Sequence, residues 1–329
     1  MVHRSKWLSQ LPSNLLIAAA LASTQLAQAQ SWPSKPIRLL VPFAPGGTSS
    51  VVARTVSAEL SKQFGQSVVV ENKPGASGIT AMQETLAAGN DGYTWVIGHI
   101  GSLAVNPYIV PNHPYDVNKD FAAVTLLTKV PNIFVVHPDV PAKDIREFII
   151  HAKKNPGSIN YGSAGNGSAG HLAFEYLKLV AGIDIAHIPY KGTGPQLVDL
   201  LAGRTQSSSA GTPALLQHVK SGKLRAIGTG TVKRIPSLPE LQTVAEQGFP
   251  GFETAQWYGI NVSSTVSGDI VRRVAEESRR ALRSPAVAKA FANDDAEAIG
   301  STPQEYDAFI RREQKIWSDI VKRASIKTD

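Results

Sequence analysis

Residues 37–65 read IRLLVPFAPGGTSSVVARTVSAELSKQFG, and this stretch decides the fold class. Ile37 to Phe43 is apolar apart from Arg38, the pattern of a strand buried on both faces of a parallel sheet. A tight turn, Ala44 to Thr48, follows. Val52, Val56, Leu60 and Phe64 then recur every fourth residue, which makes one helical stripe, and Gly65 stands where a left-handed C-terminal cap belongs. Ser67 to Val70 reads as the next strand. Strand, glycine turn, helix and strand in that order is α/β grammar.

The grammar repeats outward from there. Ser77 can cap a helix carrying Ile79, Met82 and Leu86, and Gly92 introduces a strand from Tyr93 to Ile97. After a restart near Ile133 to Val136, strands are predicted at Ile159 to Tyr161, Ile185 to Pro189 and Leu224 to Gly228. Helices are predicted from Ser168 to Val180, from Thr193 to Leu201 and from Thr212 towards Gly222. The end of the chain is helical: Ile270, Val271 and Val274 mark one helix, and Thr302-Pro303-Gln304-Glu305 is a capping box opening another. No long linker divides the chain, so two lobes would have to be joined by crossing strands. The candidates are Val124 to Val130 and Phe252 to Ile260. The resulting division is residues 30–128 with 251–329 in one discontinuous lobe and 129–250 in the other.

Composition narrows the setting. His3, Arg4 and Lys6 precede the apolar run Leu15 to Ala22 and then Ala27-Gln28-Ala29, the order of a secretory signal over residues 1–29. That apolar run is far short of the ~20 residues that span a bilayer. The chain has no cysteine, so an exported fold of this size relies on its core rather than on disulfides. The formal charge is +7, and removing Arg4 and Lys6 with the signal leaves +5. The basic residues are mixed with acids, as in RRVAEESRRALRS from Arg272, which reads as a solvated helix face and not as a nucleic-acid surface.

Three glycine-rich loops lie between a predicted strand and the helix after it, where open α/β sheets bind ligands. The first is Phe43-Ala44-Pro45-Gly46-Gly47-Thr48-Ser49. The second, Lys73 to Gly78, includes Ser77 and Gly78. The third runs from Tyr161 through Ser163, Gly165, Asn166, Gly167 and Ser168 to His171. Unpaired N–H groups at the starts of the following helices suit an anion, and hydroxyls can add donors. His171 and His99 are candidate neutral donors at such positions, and Phe43 is a candidate wall for a ring or an alkyl chain. No histidine pair has the H-x-H or H-E-x-x-H spacing, so no metal site is expected. No cofactor is expected either, with one rival reading left open. Gly165-x-Gly167-x-x-Gly170 with Asp184 matches a dinucleotide fingerprint, although Asp184 precedes the predicted strand at whose far end a ribose-binding acid belongs.

Several stretches together resemble one known family. They are WPSKPIRLLVPFAPGGTSSVVAR from Trp32, VVVENKPGASG from Val68, YGSAGNGSAGHLAFE from Tyr161, IPYKGTGPQLVDLLAG from Ile188, GKLRAIGTG from Gly222 and LPELQTVAEQGFPGFE from Leu238. They resemble the Bug family, the periplasmic binding components of tripartite tricarboxylate transporters. The resemblance implies a two-lobed, type II Venus-flytrap fold with two doubly wound sheets joined by crossing strands. It implies a monomer without enzymatic turnover that takes a small carboxylate and works with two membrane proteins or, alternatively, with a membrane sensor. It places the ligand between Phe43 to Ser49 and Ser163 to His171, with Ser77, Gly78, His99, Gly211 and Thr212 as further contacts. Family members commonly carry Asp where this chain has Ser50. That departure points to ligands without an amino group, including aromatic dicarboxylates such as terephthalate.

Overall fold

Ile37–Val41 forms strand β1, and four of its five residues have no exposed surface, as the apolar run requires. β1 lies between two parallel partners, β2 (Val68–Asn72) and β3 (Thr94–His99). Helix α1 (Thr48–Phe64) packs its stripe of Val52, Val56, Leu60 and Phe64 inward, and Gly65 closes it at φ 63°, the left-handed cap that favours glycine. Helix α2 covers Ile79–Ala87. Its N-cap is Gly78 and not the expected Ser77, because Ala76 and Ser77 themselves take positive φ in a tight turn after Gly75.

These coordinates are a computed structural model in which residues 32–326 are described, so the proposed signal segment lies outside the described residues. Every element named here belongs to the unit that begins at Lys35; Met1–Ser34 is a separate unit.

Strand β4 (Phe121–Val136) has 16 residues because it serves two sheets. Phe121 to Pro131 pairs antiparallel with β9 (Ala255–Ser263), which in turn pairs with β3. Asn132 to Val136 pairs instead with β7 (Ser207–Gly211) and with β8 (Arg225–Thr229). Beyond β7 lie β5 (Asn160–Ser163) and β6 (Ala186–Pro189), both parallel. The strand order is β2-β1-β3-β9-β4-β7-β5-β6. The sequence reading gave Val124 to Val130 as a candidate crossing strand and Ile133 to Val136 as a separate strand, and the structure joins the two into one. Pro131, which usually argues against a central strand, stands where β4 leaves one sheet for the other.

The second sheet carries helices α3 (Ile145–Lys154), α4 (Ala169–Ala181), α5 (Thr193–Leu201) and α6 (Thr212–Lys220). After β9 the chain returns to the first sheet with α7 (Gly268–Leu282), α8 (Pro285–Asn293), a short β10 (Glu297–Ala298) beside β4, and α9 (Pro303–Ala324). Thr302 and Glu305 make the capping box at the start of α9. Tyr306, Phe309, Trp317 and Val321 of α9 share one apolar core with Leu40, Met82 and Val96, so the C-terminal segment completes the core begun by the N-terminal one. A separate core under the second sheet centres on Phe134, Phe148, Tyr161 and Phe174.

Phe174 has no exposed surface and contacts three other rings, at centroid distances of 5.2 Å (Phe134), 6.1 Å (Phe148) and 4.5 Å (Tyr161). Phe174→Ala is expected to lower the unfolding free energy by about 3–5 kcal/mol. Denaturant melts that coincided with wild type would contradict this packing.

Candidate functional site

Helix α1 starts straight after Gly46-Gly47, and Gly47 offers no side chain to cap it. The first N–H groups of α1 therefore have no partner within the helix. Across from it, α4 starts after Ser168, whose hydroxyl accepts from the His171 N–H, and α5 starts after Gly192, again without a side-chain cap. All three starts open on one enclosed cavity. Its walls include Phe43, Gly47, Thr48 and Ser49 from the first loop, Ala164, Ser168, Ala169 and Gly170 from the third, and Thr193, Ser209 and Ala210. Its floor is Gln256, Trp257 and Tyr258 of β9, where the chain crosses between sheets.

No lysine, arginine, aspartate or glutamate lines this cavity. The polar groups present are neutral donors. His99 Nδ1 accepts from the Gly101 N–H at 2.9 Å, so the proton sits on Nε2, which is buried without a partner. Burial lowers the His99 pKa to about 3, so the ring is neutral at ordinary pH. Ser209 Oγ is likewise buried without a partner, and the Thr48 hydroxyl lies beside the Tyr258 phenol. Gln256 spans the floor, donating to Asn132 Oδ1 at 2.6 Å and accepting from the Tyr258 hydroxyl. Positive helix ends, N–H groups and hydroxyls with no competing cation are suited to an anion.

The cavity is only about 20 Å³, room for about one water. Its sides meet backbone to backbone. The Ala44 N–H donates to the Lys191 carbonyl at 2.9 Å, and a Cβ on Gly46 would stand 3.2 Å from Gly194 Cα. A Cβ on Gly47 would stand 3.1 Å from Thr193 Oγ1. A ligand larger than water enters only if these sides separate.

Several residues expected at the site stand around the cavity instead of in it. Ser77, Gly78, Gly165 and Asn166 line a neighbouring pocket of about 210 Å³, to which Phe43 and Ala164 are common. Ala44 and Gly46 make the backbone contacts just described. Ser163, with no exposed surface, bonds Gly165 N–H at 3.0 Å, while Gly167 N–H donates to His171 Nδ1 at 3.1 Å. Gly211 abuts Thr48, and the Thr212 hydroxyl donates to the Asp294 carbonyl; their neighbours Ser209 and Ala210 reach the cavity. Thr193, Ser209, Gln256 and Tyr258 were missed. Thr193 opens a helix after a glycine, the signal that marked the other loops, whereas Gln256 and Tyr258 sit mid-strand without local signature. Ser50 turns away to accept from Asn72 Nδ2 at 2.8 Å, so the ligand preference argued from it loses its footing. A roomier concavity of about 730 Å³ lies between Asp144, β8 and Ser237–Gln242. Lys143, Asp144, Arg225 and Glu240 line it, and only the loop from β4 to α3 among the strand-to-helix loops named here reaches it, whereas the starts of α1, α4 and α5 converge on the smaller cavity without a charged side chain, which makes that cavity the better candidate.

The dinucleotide reading fails on geometry. β5 and β6 are parallel, so the glycine loop leaves the C-terminal end of β5 while Asp184 precedes β6 at the opposite end. Gly170 is required for another reason: a Cβ there would run into the Ser209 carbonyl oxygen.

Residues 52–326 match the tripartite tricarboxylate transporter family receptors. The chain belongs to that family. BugT of Bordetella pertussis is 34% identical over 300 residues, 91% of this chain and 92% of BugT. Among solved structures, Rpa4515 of R. palustris with adipate superposes with a TM-score of 0.87 at 34% identity, covering 90% of this chain and 99% of that one. MatC of Rhodopseudomonas palustris with bound malate gives 0.85 at 29% identity, covering 88% and 100%. The protein is thus a solute-binding receptor of the Bug type with the two-lobed α/β fold of periplasmic binding proteins.

Two substitutions probe the cavity. Gly47→Val places a branched side chain against Thr193, and Ser168→Ala removes the cap of α4 at a cost of about 1 kcal/mol in stability. Each is expected to weaken ligand binding at least about tenfold by calorimetry while the protein stays folded. Unchanged affinity in both would place the site elsewhere.

Proposed function

We propose that this protein captures a small dicarboxylate between its lobes in the periplasm and delivers it to the two membrane components of a tripartite tricarboxylate transporter. Of the described residues from Lys35 onward, 35–128 with 251–326 form one lobe and 129–250 the other, and they hinge where β4 and β9 cross, at residues 131–132 and 254–256. The observation that carries this reading is the cavity shared by helix starts from both lobes and free of charged side chains. A carboxylate there gains donors from both sides only when they are together, so ligand favours the closed state by differential contact. Neutral donors also avoid the desolvation cost of a buried arginine.

The missing acid in the lining, and not Ser50, favours ligands without an ammonium group. The Phe43 ring lies 4.6 Å from the His99 ring and borders the adjoining pocket, giving an apolar wall for the body of an alkyl or aromatic dicarboxylate, terephthalate among them. The relatives solved with adipate and malate support this ligand class.

Thermal melts with adipate, malate, citrate and terephthalate test the proposal. At a hundred times its dissociation constant a true ligand stabilises by about 2.7 kcal/mol. At least one dicarboxylate is expected to raise the Tm, with aspartate having no effect. A melt insensitive to every carboxylate would overturn the reading.

A further inference from the structure

Beneath the third loop four rings stack in a column. Phe174 lies against Tyr161 at 4.5 Å and 17°, Tyr161 against His187 at 4.8 Å and 17°, and His187 against His171 at 4.2 Å and 19°. Tyr161 comes from β5, His187 from β6, and His171 and Phe174 from one side of α4. The imidazole end of the column grips the loop at two points. His171 Nδ1 accepts the Gly167 N–H at 3.1 Å, and His187 Nε2 meets Ser163 Oγ at 2.7 Å, the hydroxyl that accepts the Gly165 N–H at 3.0 Å. Gly165 and Gly167 have φ of 121° and 70°, so the loop holds a conformation that needs these anchors.

We propose that His171 and His187 are positioning residues, a stacked pair of neutral imidazoles that holds the Gly165–Gly167 turn in its ligand-receiving shape and releases it when His171 is protonated. This rests on the site proposed above but concerns residues that do not line the cavity. A proton on Nδ1 turns the acceptor of the Gly167 bond into a donor facing a donor, and sets a cation 4.2 Å from a second imidazole. The titratable groups facing the pair are Tyr161 of β5, whose hydroxyl donates to Glu175 at 2.6 Å, and Glu175 and Lys178 of α4, themselves 2.9 Å apart. Glu175 favours a proton on His187; Lys178 opposes one on either ring.

Burial, with Lys178 adding, lowers His171 from 6.5 to about 4. The anchored loop thus excludes a proton that the released loop accepts. Anchoring is complete above about pH 6.5 and weakens as the pH falls towards 4. From about pH 7.5 to about pH 5 this amounts to about a thirtyfold gain in the release equilibrium if His171 alone becomes exposed.

The test is amide hydrogen exchange on ligand-free protein at those two pH values, corrected for intrinsic exchange, comparing peptides over residues 164–172 with strand β1. Wild type is expected to lose about thirtyfold protection in the loop with β1 unchanged. His171→Asn, whose Oδ1 replaces Nδ1 as a non-titrating acceptor, is expected to lose none. Should that variant not fold, wild type against β1 decides alone. Loop protection independent of pH, or an equal loss in His171→Asn or in β1, would overturn the proposal. Because no ligand is used, failure of dicarboxylates to bind would count against the proposed function and leave this result standing.

Discussion

The structure depends on N–H groups that its helices cannot satisfy. α1 from one sheet and α4 and α5 from the other begin around one small volume, each straight after a glycine or a capping serine. Their dipoles point the same sign of charge at that volume, and no side-chain cation competes. The glycines follow from this convergence: Gly46 meets Gly194, and Gly170 meets the Ser209 carbonyl, because side chains there would hold the helix starts apart.

The same constraint explains why β4 and β9 run so long. A site made from two sheets needs a connection stiff enough to bring their loops into register and flexible enough to let a ligand enter a cavity of about 20 Å³. Paired strands change partners at Pro131 and Asn132, which is where the proposed hinge falls. Gln256 bonds Asn132 at that point, placing the floor of the cavity on the crossing itself.

Most of the architecture was legible because it is written locally. The stripe from Val52 to Phe64, the left-handed Gly65 and the Thr302–Glu305 capping box each reappear as expected. α3 and α8 escaped, although Asp144 and Ser284 cap them and Ile145, Phe148, Ile149 and Ala152 of α3 recur at helical spacing, a local signal that was there to be read. The loops that approach the cavity could be named from glycine and hydroxyl content. Which atoms reach it could not, since that depends on pairing across the fold: Ser209 points in while Thr212 bonds Asp294, and His171 serves the loop backbone rather than the cavity. Ser50 shows the same limit, because only the position of Asn72 reveals which way it turns.

The central claim is that a carboxylate is held by backbone amides and neutral side chains from both sheets at once. A crystal structure of the protein with adipate tests it most directly. The account predicts one carboxylate within about 3 Å of N–H groups at the starts of both α1 and α4, with no lysine or arginine in contact. A carboxylate paired with a basic side chain, or held by one sheet alone, would contradict it.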